Sequence, residues 1–219
     1  MSFFLEVLVG GLLAGVMYSL VALGFVLIYK ASGVFNFAQG ALVLFAALTF
    51  VSLQAMGLPF WGSLLATLVI MVGMGIAIER VVLRPLVNQP PITLFMATIG
   101  LSFFIEGLAQ LVWGTEVHGL EPGITDEPFE VAGVFISRFD LFAAGLSALL
   151  VAVLAAFFQY TKLGRALRAV ADDHQAALSV GIPLQHIWAV VWGVAGFVAL
   201  VSGLLWGSRL GVQFALTLV

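Results

Sequence analysis

The residues able to do chemistry are few and unevenly placed. The chain has no cysteine and three histidines, His118, His174 and His186. No disulfide, thiol nucleophile or Cys-ligated metal can be built from it. All three histidines fall in polar connections, outside the long apolar runs, so those runs can hold neither a buried Ser–His pair nor a His metal cluster. That disfavours an intramembrane enzyme. No Gly-rich loop ending in Gly-Lys-Ser/Thr occurs, so the chain does not bind ATP by that means. What remains is a set of polar side chains set into apolar runs. Glu106 lies in the run Ile92 to Trp113, with Thr98, Ser102 and Gln110 at four-residue steps from it. A carboxylate at the centre of a membrane helix costs about 2.5–3.5 kcal/mol, so it must face protein or water. It either lines a solute path or serves an interhelical hydrogen bond or the membrane rim. Asn36 and Gln39 sit in KASGVFNFAQG, beside Phe35 and Phe37 and between glycines. Uncharged amides in that setting suit a broken or re-entrant helix next to a pathway. A plain polar turn at the rim is the alternative.

The apolar runs must position these groups. The chain is 63% hydrophobic and 9% charged, against about 45–50% and about 25% in soluble domains. It therefore reads as an all-α, polytopic membrane bundle. Six spans are expected: Val7–Tyr29, a second within 34–58, Trp61–Ile78, Ile92–Trp113, Leu141–Tyr160 and Ile187–Trp206. Glu79, Arg80 and Arg84 read as an anchor at the membrane edge, and Pro85, Pro90 and Pro91 exclude helix from the connection after them. Gly11, Gly15 and Ser19 recur every fourth residue, as do Gly203 and Gly207, and both sets read as close-packing faces. A break is expected from Gly207 to Leu210 around Arg209, with a further apolar run from Gly211 that reaches Val219, so the single transmembrane domain 1–219 reads as truncated at its C-terminus.

Two connections differ in charge. Residues 114–140 carry six acidic residues against Arg138 alone and read as an external acidic loop, with a short strand or turn from Val131 to Ile136. Residues 161–186, TKLGRALRAVADDHQAALSVGIPLQH, form a polar island with Lys162, Arg165 and Arg168. Read as one amphipathic helix, the island puts Leu163, Leu167, Val170, Ala171, His174, Ala177 and Leu178 on one face; Gly181 and Pro183 end it. Such a helix either rests on the membrane surface or docks a soluble partner. With an external N-terminus, Lys30, Arg80, Arg84, Lys162, Arg165 and Arg168 all fall inside and Arg138 and Arg209 outside. Lys and Arg concentrate in cytoplasmic loops, so this orientation is the one expected. Trp61, Trp113 and Trp206 would then lie at outer ends and Trp188 at an inner end.

Two stretches carry a family resemblance. GGLLAGVMYSLVALGFVLIYKASGVFNFAQGALVLFAAL is similar to the N-terminal signature of branched-chain amino-acid ABC transporter permeases, whose Asn-Phe-Ala-His/Gln-Gly segment corresponds to Asn36–Gly40. TKLGRALRAVADDHQAALSVGI resembles the cytoplasmic loop of the same family. Gln175-Ala176-Ala177 and, after three residues, Gly181 have the form of the "EAA, three residues, Gly" loop of ABC importer permeases, with Gln where Glu is usual. Gln39 stands where His is frequent. The likeness covers essentially the whole chain, and members of the family continue through further helices.

The resemblance implies a subunit of the bacterial inner membrane that carries branched-chain amino acids or related small polar solutes. It implies cytoplasmic ABC ATPase subunits gripping Arg165, Arg168, Gln175, Ala176, Ala177 and Gly181. A second permease and a periplasmic or extracellular solute-binding protein complete the assembly, in membrane lipid. No cofactor, metal or nucleic-acid partner is expected. Asn36, Gln39, Ser102, Glu106 and Gln110 are the candidates for the substrate path. The competing readings are an ion-coupled secondary transporter, for which Glu106 is the best support, and a subunit that serves assembly alone.

Overall fold

The computed structural model describes residues 2–33, 35–86, 89–120, 128–131, 133–179, 181–182 and 184–218. Nearly all of it is helix: α1 Ser2–Ser32, α2 Gln39–Ala55, α3 Phe60–Ile78, α4 Pro91–Trp113, α5 Arg138–Tyr160, α6 Lys162–Asp172, α7 His174–Ser179 and α8 Leu184–Leu210. The exceptions are a two-stranded hairpin, β1 Phe129–Val131 with β2 Val134–Ile136, and tighter or wider helical turns after α3 and at Phe214–Leu218. Among the described residues five helices are long and apolar enough to cross a membrane, and α2, at 17 residues, is a shorter apolar helix. The architecture is an all-α polytopic bundle.

α8 stands at the centre and packs on α1, α2 and α3; α4 lies against α2, and α5 against α1. Apolar burial alone does not draw helices together in lipid, so the contacts depend on close fit of small residues. The α3–α8 seam shows how. A Cβ placed on Gly75 would stand 2.6 Å from the Trp192 carbonyl oxygen, and one on Gly196 2.7 Å from that of Met71. Each glycine thus receives the backbone of the other helix. Gly203 does the same toward the Val43 carbonyl of α2, at 2.6 Å. Gly11 and Gly15, by contrast, meet no neighbour and are exposed, so the expected packing face of α1 is not used within the described chain. The buried side of α1 is set by Met17, Leu20 and Val21, which cluster with α2 and α8.

Contacts sort the connections into two ends. At one end, Trp188 Nε1 at the start of α8 donates to the Ala31 carbonyl at the end of α1, 2.9 Å, with both residues buried. At the other, Arg209 pairs with Asp140 at 3.3 Å, and Glu6 accepts from the Phe135 N–H at 3.3 Å. Lys30, Arg80, Arg84, Lys162, Arg165 and Arg168 belong to the first end, Arg138 and Arg209 to the second. In the second segment Gln39 packs against Gly24, seven residues before Ala31 on α1, and Phe50, farther along, meets Phe60 at the start of α3. α2 is an apolar helix of 17 residues that starts within the bundle and runs toward the start of α3. Replacing Trp188 with Phe removes a buried donor while keeping the ring. The expected cost is about 1–2 kcal/mol, read as a lowered midpoint of thermal unfolding in detergent.

Several sequence expectations are corrected. The polar island is two helices, because Asp173 adopts an extended backbone (φ −155°, ψ 110°) between α6 and α7. An α7 turned away from α6 no longer continues a single stripe, and Ala171, assigned to the apolar face, is exposed. No break occurs at 207–210. α8 runs to Leu210, and the chain turns instead at Gly211, where φ is +76°, a value that favours glycine. The following residues fold back against the bundle: His118 and Val212 exchange backbone hydrogen bonds at 3.0 and 2.8 Å, Leu216 is fully buried, and the Thr217 carbonyl abuts Gly40. Of the charged cluster, Glu79 is buried in a wide helical turn, Glu79–Leu83, with Arg84 at 3.8 Å, while Arg80 is exposed. Arg84–Leu86 forms a tight helical turn despite Pro85, and Pro91 opens α4, where its missing N–H costs nothing. Trp188 and Trp206 are buried, the latter against Tyr18 with ring centroids 4.4 Å apart, while Trp61 alone of these three is exposed.

Candidate functional site

Two groups of side chains are candidates, one inside the bundle and one at its basic end. The inner group is built on the turn before α2. Asn36 Oδ1 accepts from the Ala38 N–H at 3.1 Å, and the Asn36 carbonyl accepts from the Gln39 N–H at 3.2 Å. The asparagine therefore shapes the turn that starts the helix, as its short polar side chain is suited to do. Its Nδ2 donates to Gln39 Oε1 at 3.4 Å, and both side chains are fully buried. Gln39 Nε2 has no acceptor among the described residues. It lies over Gly24 of α1, where a Cβ would come within 2.5 Å of it.

α4 supplies the second wall. Thr98 Oγ1 lies 2.9 Å from the Phe95 carbonyl of its own helix and 3.2 Å from the Phe35 carbonyl, so its one proton is shared between them and the start of the α4 polar stripe reaches the residue before Asn36. Farther along, Ser102 donates to Glu106 Oε1 at 3.1 Å. The four residues do not stay on one face. Each four-residue step advances about 40° around a helix of 3.6 residues per turn, so the stripe drifts by about 120° from Thr98 to Gln110. Thr98 is buried, Ser102 and Glu106 are half-buried, and Gln110 is exposed. Thr98 and Glu106 are also separated by about 12 Å along the axis. The structure brings Thr98 to the Phe35 carbonyl, one residue before Asn36. It leaves Ser102 and Glu106 as a separate pair, beside the exposed Phe103 and Phe104. A cleft of about 430 Å³ lies near the opposite end, between α3, α5 and α8, lined by Phe60, Trp61, Phe139, Phe142, Phe197 and Ser208 rather than by the amides.

The basic-end group starts at a one-residue corner. Thr161 caps α6: its Oγ1 accepts from the Gly164 N–H at 3.1 Å. Arg165 is exposed on α6. Arg168, three residues on, turns back and donates from both terminal nitrogens, to the Phe158 and Gln159 carbonyls of α5, each at 3.2 Å. Leu167 and Val170 fix the inner face of α6. In α7, Asp173 Oδ1 accepts from the Ala176 N–H at 3.0 Å; Ala177 is buried and Ala176 exposed. Gly181 is exposed with φ +83°, just after α7, and the Ile182 N–H closes the turn on the Ala177 carbonyl at 3.0 Å. The Gln175 side chain lies outside the described residues, as do Val180 and Pro183. Sequence reasoning placed Arg168 correctly in the loop but missed its bonds to α5. The signal was weak, since a basic residue seven positions into a helix does not reveal a corner that folds it back.

The chain thus combines membrane-length helices, an Asn36–Gly40 turn buried within them, and a folded loop between α5 and α8. Over residues 7–218 it matches the family described as the permease component of branched-chain amino acid transport systems. The chain belongs to that family. It is 28% identical over 222 residues to the high-affinity branched-chain amino acid transport system permease protein BraD of Pseudomonas aeruginosa, covering 95% of this chain and 72% of BraD. It is 26% identical over 224 residues to the permease protein LivH of the corresponding system in Salmonella typhimurium, and 27% to that of Escherichia coli K12; each alignment covers 96% of this chain and 72% of the relative. No solved structure matches the chain. Family and fold together make it a multi-pass membrane transport permease.

Proposed function

We propose that this permease is the membrane subunit of an ATP-driven importer for branched-chain amino acids or closely related small solutes, in the bacterial plasma membrane. Its N-terminus and the 114–140 connection face outward, toward a solute-binding protein. Residues 161–186 face the cytoplasm and dock ATPase subunits through Arg165, Ala176, Gly181 and the α7 backbone at Gln175, while Ala177 is buried beneath them and Arg168 is turned back onto α5. A second permease completes the translocation path. Asn36, Gln39 and Thr98 supply polar groups to one part of that path, and Ser102, Glu106 and Gln110 to another. The observation that carries the reading is the folded α6–α7 loop. It projects between α5 and α8 at the end that holds Lys30, Arg80, Arg84, Lys162, Arg165 and Arg168, and Lys and Arg in short loops mark the cytoplasmic side. The relatives named above are permeases of branched-chain amino acid systems, which supports the substrate class.

The test is reconstitution in proteoliposomes with ATPase subunits, a partner permease and a solute-binding protein from the same organism. Leucine uptake is expected only with internal ATP and all partners. Uptake by this chain alone, driven by a proton or sodium gradient, would favour the competing reading, which rests on the Ser102–Glu106 pair in α4. The substitution Glu106→Gln separates the two sharply. It keeps shape and one hydrogen bond to Ser102 but removes a titratable site. ATP-driven uptake should fall by less than about threefold, within the range of a single modest hydrogen bond, whereas ion-coupled uptake would be abolished.

A further inference from the structure

We infer that Arg168 is a positioning residue that welds α6 to the end of α5, so that the two helices move as one lever; the inference rests on the reading of 161–186 as the ATPase-docking loop. The last carbonyls of a helix lack partners within it and carry its negative dipole end. On α5 these include the Phe158 and Gln159 carbonyls, and both are taken by the two arms of the Arg168 guanidinium, at 3.2 Å each. A planar fork holds two acceptors in fixed relative geometry, which a lysine ammonium cannot do.

Other contacts tighten the same corner. The Thr161 N–H donates to the Phe157 carbonyl at 3.1 Å while its hydroxyl caps α6. Gly164 is buried, and a Cβ there would run into the Phe158 carbonyl, so only glycine lets α6 approach this closely. The α5–α6 corner is therefore held by a cap, a close backbone approach and a two-armed clamp. The α6–α7 joint, by comparison, is the single extended residue Asp173.

What the lever moves follows from packing. α5 lies mainly on α1 and is the least buried of the long helices, at 17% against 67% for α8. It is a peripheral rod of about 35 Å at 1.5 Å per residue. Its far end carries Asp140, paired with Arg209 of α8 at 3.3 Å. A displacement of α6 by a docked partner is delivered through Arg168 to α5, and along α5 to an ion pair at the opposite end of the bundle. Without the clamp, the corner is left to the Thr161 cap and the Gly164 approach, and less of the displacement of α6 reaches α5.

The experiment uses the complete reconstituted transporter with leucine as probe. Three quantities are measured for wild type, Arg168→Ala and Arg168→Lys: recovery of the ATPase subunits on co-purification, the ATP hydrolysis rate, and ATP consumed per leucine imported. Arg168→Ala should retain the ATPase subunits and hydrolysis while ATP consumed per leucine rises several-fold. Arg168→Lys, which keeps the charge and should fold even if the alanine variant does not, should show a smaller rise. Loss of the ATPase subunits with an unchanged ratio would make Arg168 a docking residue and overturn the inference. An unchanged ratio in both variants, with the subunits retained, would also overturn it. A wild-type complex that never couples hydrolysis to uptake would instead sink the reading of the loop, and the lever with it.

Discussion

Valine in place of Gly196 is expected to lower the stability of the bundle by at least about 1–3 kcal/mol, the usual cost of overpacking a close-fitted interior. The obstacle here is backbone rather than a flexible side chain. The new Cβ would stand 2.7 Å from the Met71 carbonyl oxygen and 3.1 Å from its carbon, and Met71 is held within α3. Relief requires α3 and α8 to separate along a seam where Gly75 already receives the Trp192 carbonyl. Gly193 provides the internal comparison. A Cβ there meets only Val72 Cγ1, at 3.7 Å, an ordinary contact. Gly193→Ala should therefore be neutral or stabilising by up to about 1 kcal/mol, the helix-propensity difference. Thermal unfolding in detergent, followed through the fluorescence of the buried Trp192, reads both. Equal midpoints for Gly196→Val and wild type would mean that the seam does not hold these helices together.

The second large effect concerns transport rather than stability. Gly181 has φ +83°, and Ile182 closes back onto Ala177 there. A β-branched residue is a steric outlier at positive φ, and the left-handed region costs an ordinary residue about 1–2 kcal/mol. Gly181→Val should relieve that cost by unwinding the turn and shifting α7. Because the site is exposed and touches no packed neighbour, insertion and overall folding should survive. With α7 as the dock, ATP-dependent leucine uptake should drop about tenfold or more, the factor that corresponds to about 1.4 kcal/mol. ATP hydrolysis should fall less. Uptake at the wild-type rate in that variant would argue strongly against α7 as the point of coupling.

The two predictions differ in how visible their sites are in the sequence. Gly181 is marked by its motif and by its place at the end of a polar island. Gly196 has no such mark; it is one of 24 glycines. Its role depends on which turn of α3 lies opposite, and nothing local specifies that. The same division runs through the rest of the molecule. Long uncharged runs determine membrane-length helices because no other structure satisfies the backbone in lipid, so α1, α3, α4, α5 and α8 were legible with boundaries close to those found. α2 was legible as a short apolar segment within 34–58, but not its start at Gln39, because a polar start there is acceptable only once α1 covers it at Gly24. The α4 stripe was legible as a pattern, but which of its residues are buried depended on how the helix rotates against α2.

By itself, then, the amino-acid sequence determined the class of protein, the five long membrane-length helices, the uneven placing of charge at the two ends and the family motifs at 36–40 and 161–181. Composition, length and charge bias act locally and survive any packing. Only the tertiary structure decided that Thr98 reaches the Phe35 carbonyl beside the Asn36–Gln39 pair while Glu106 stands apart, that Gly75 receives the Trp192 carbonyl and Gly196 that of Met71, and that Arg168 turns back to clamp α5. Those are relations between segments far apart in the chain or folded across a corner, and they arise from close packing, where a rotation of one helix changes every partner it has.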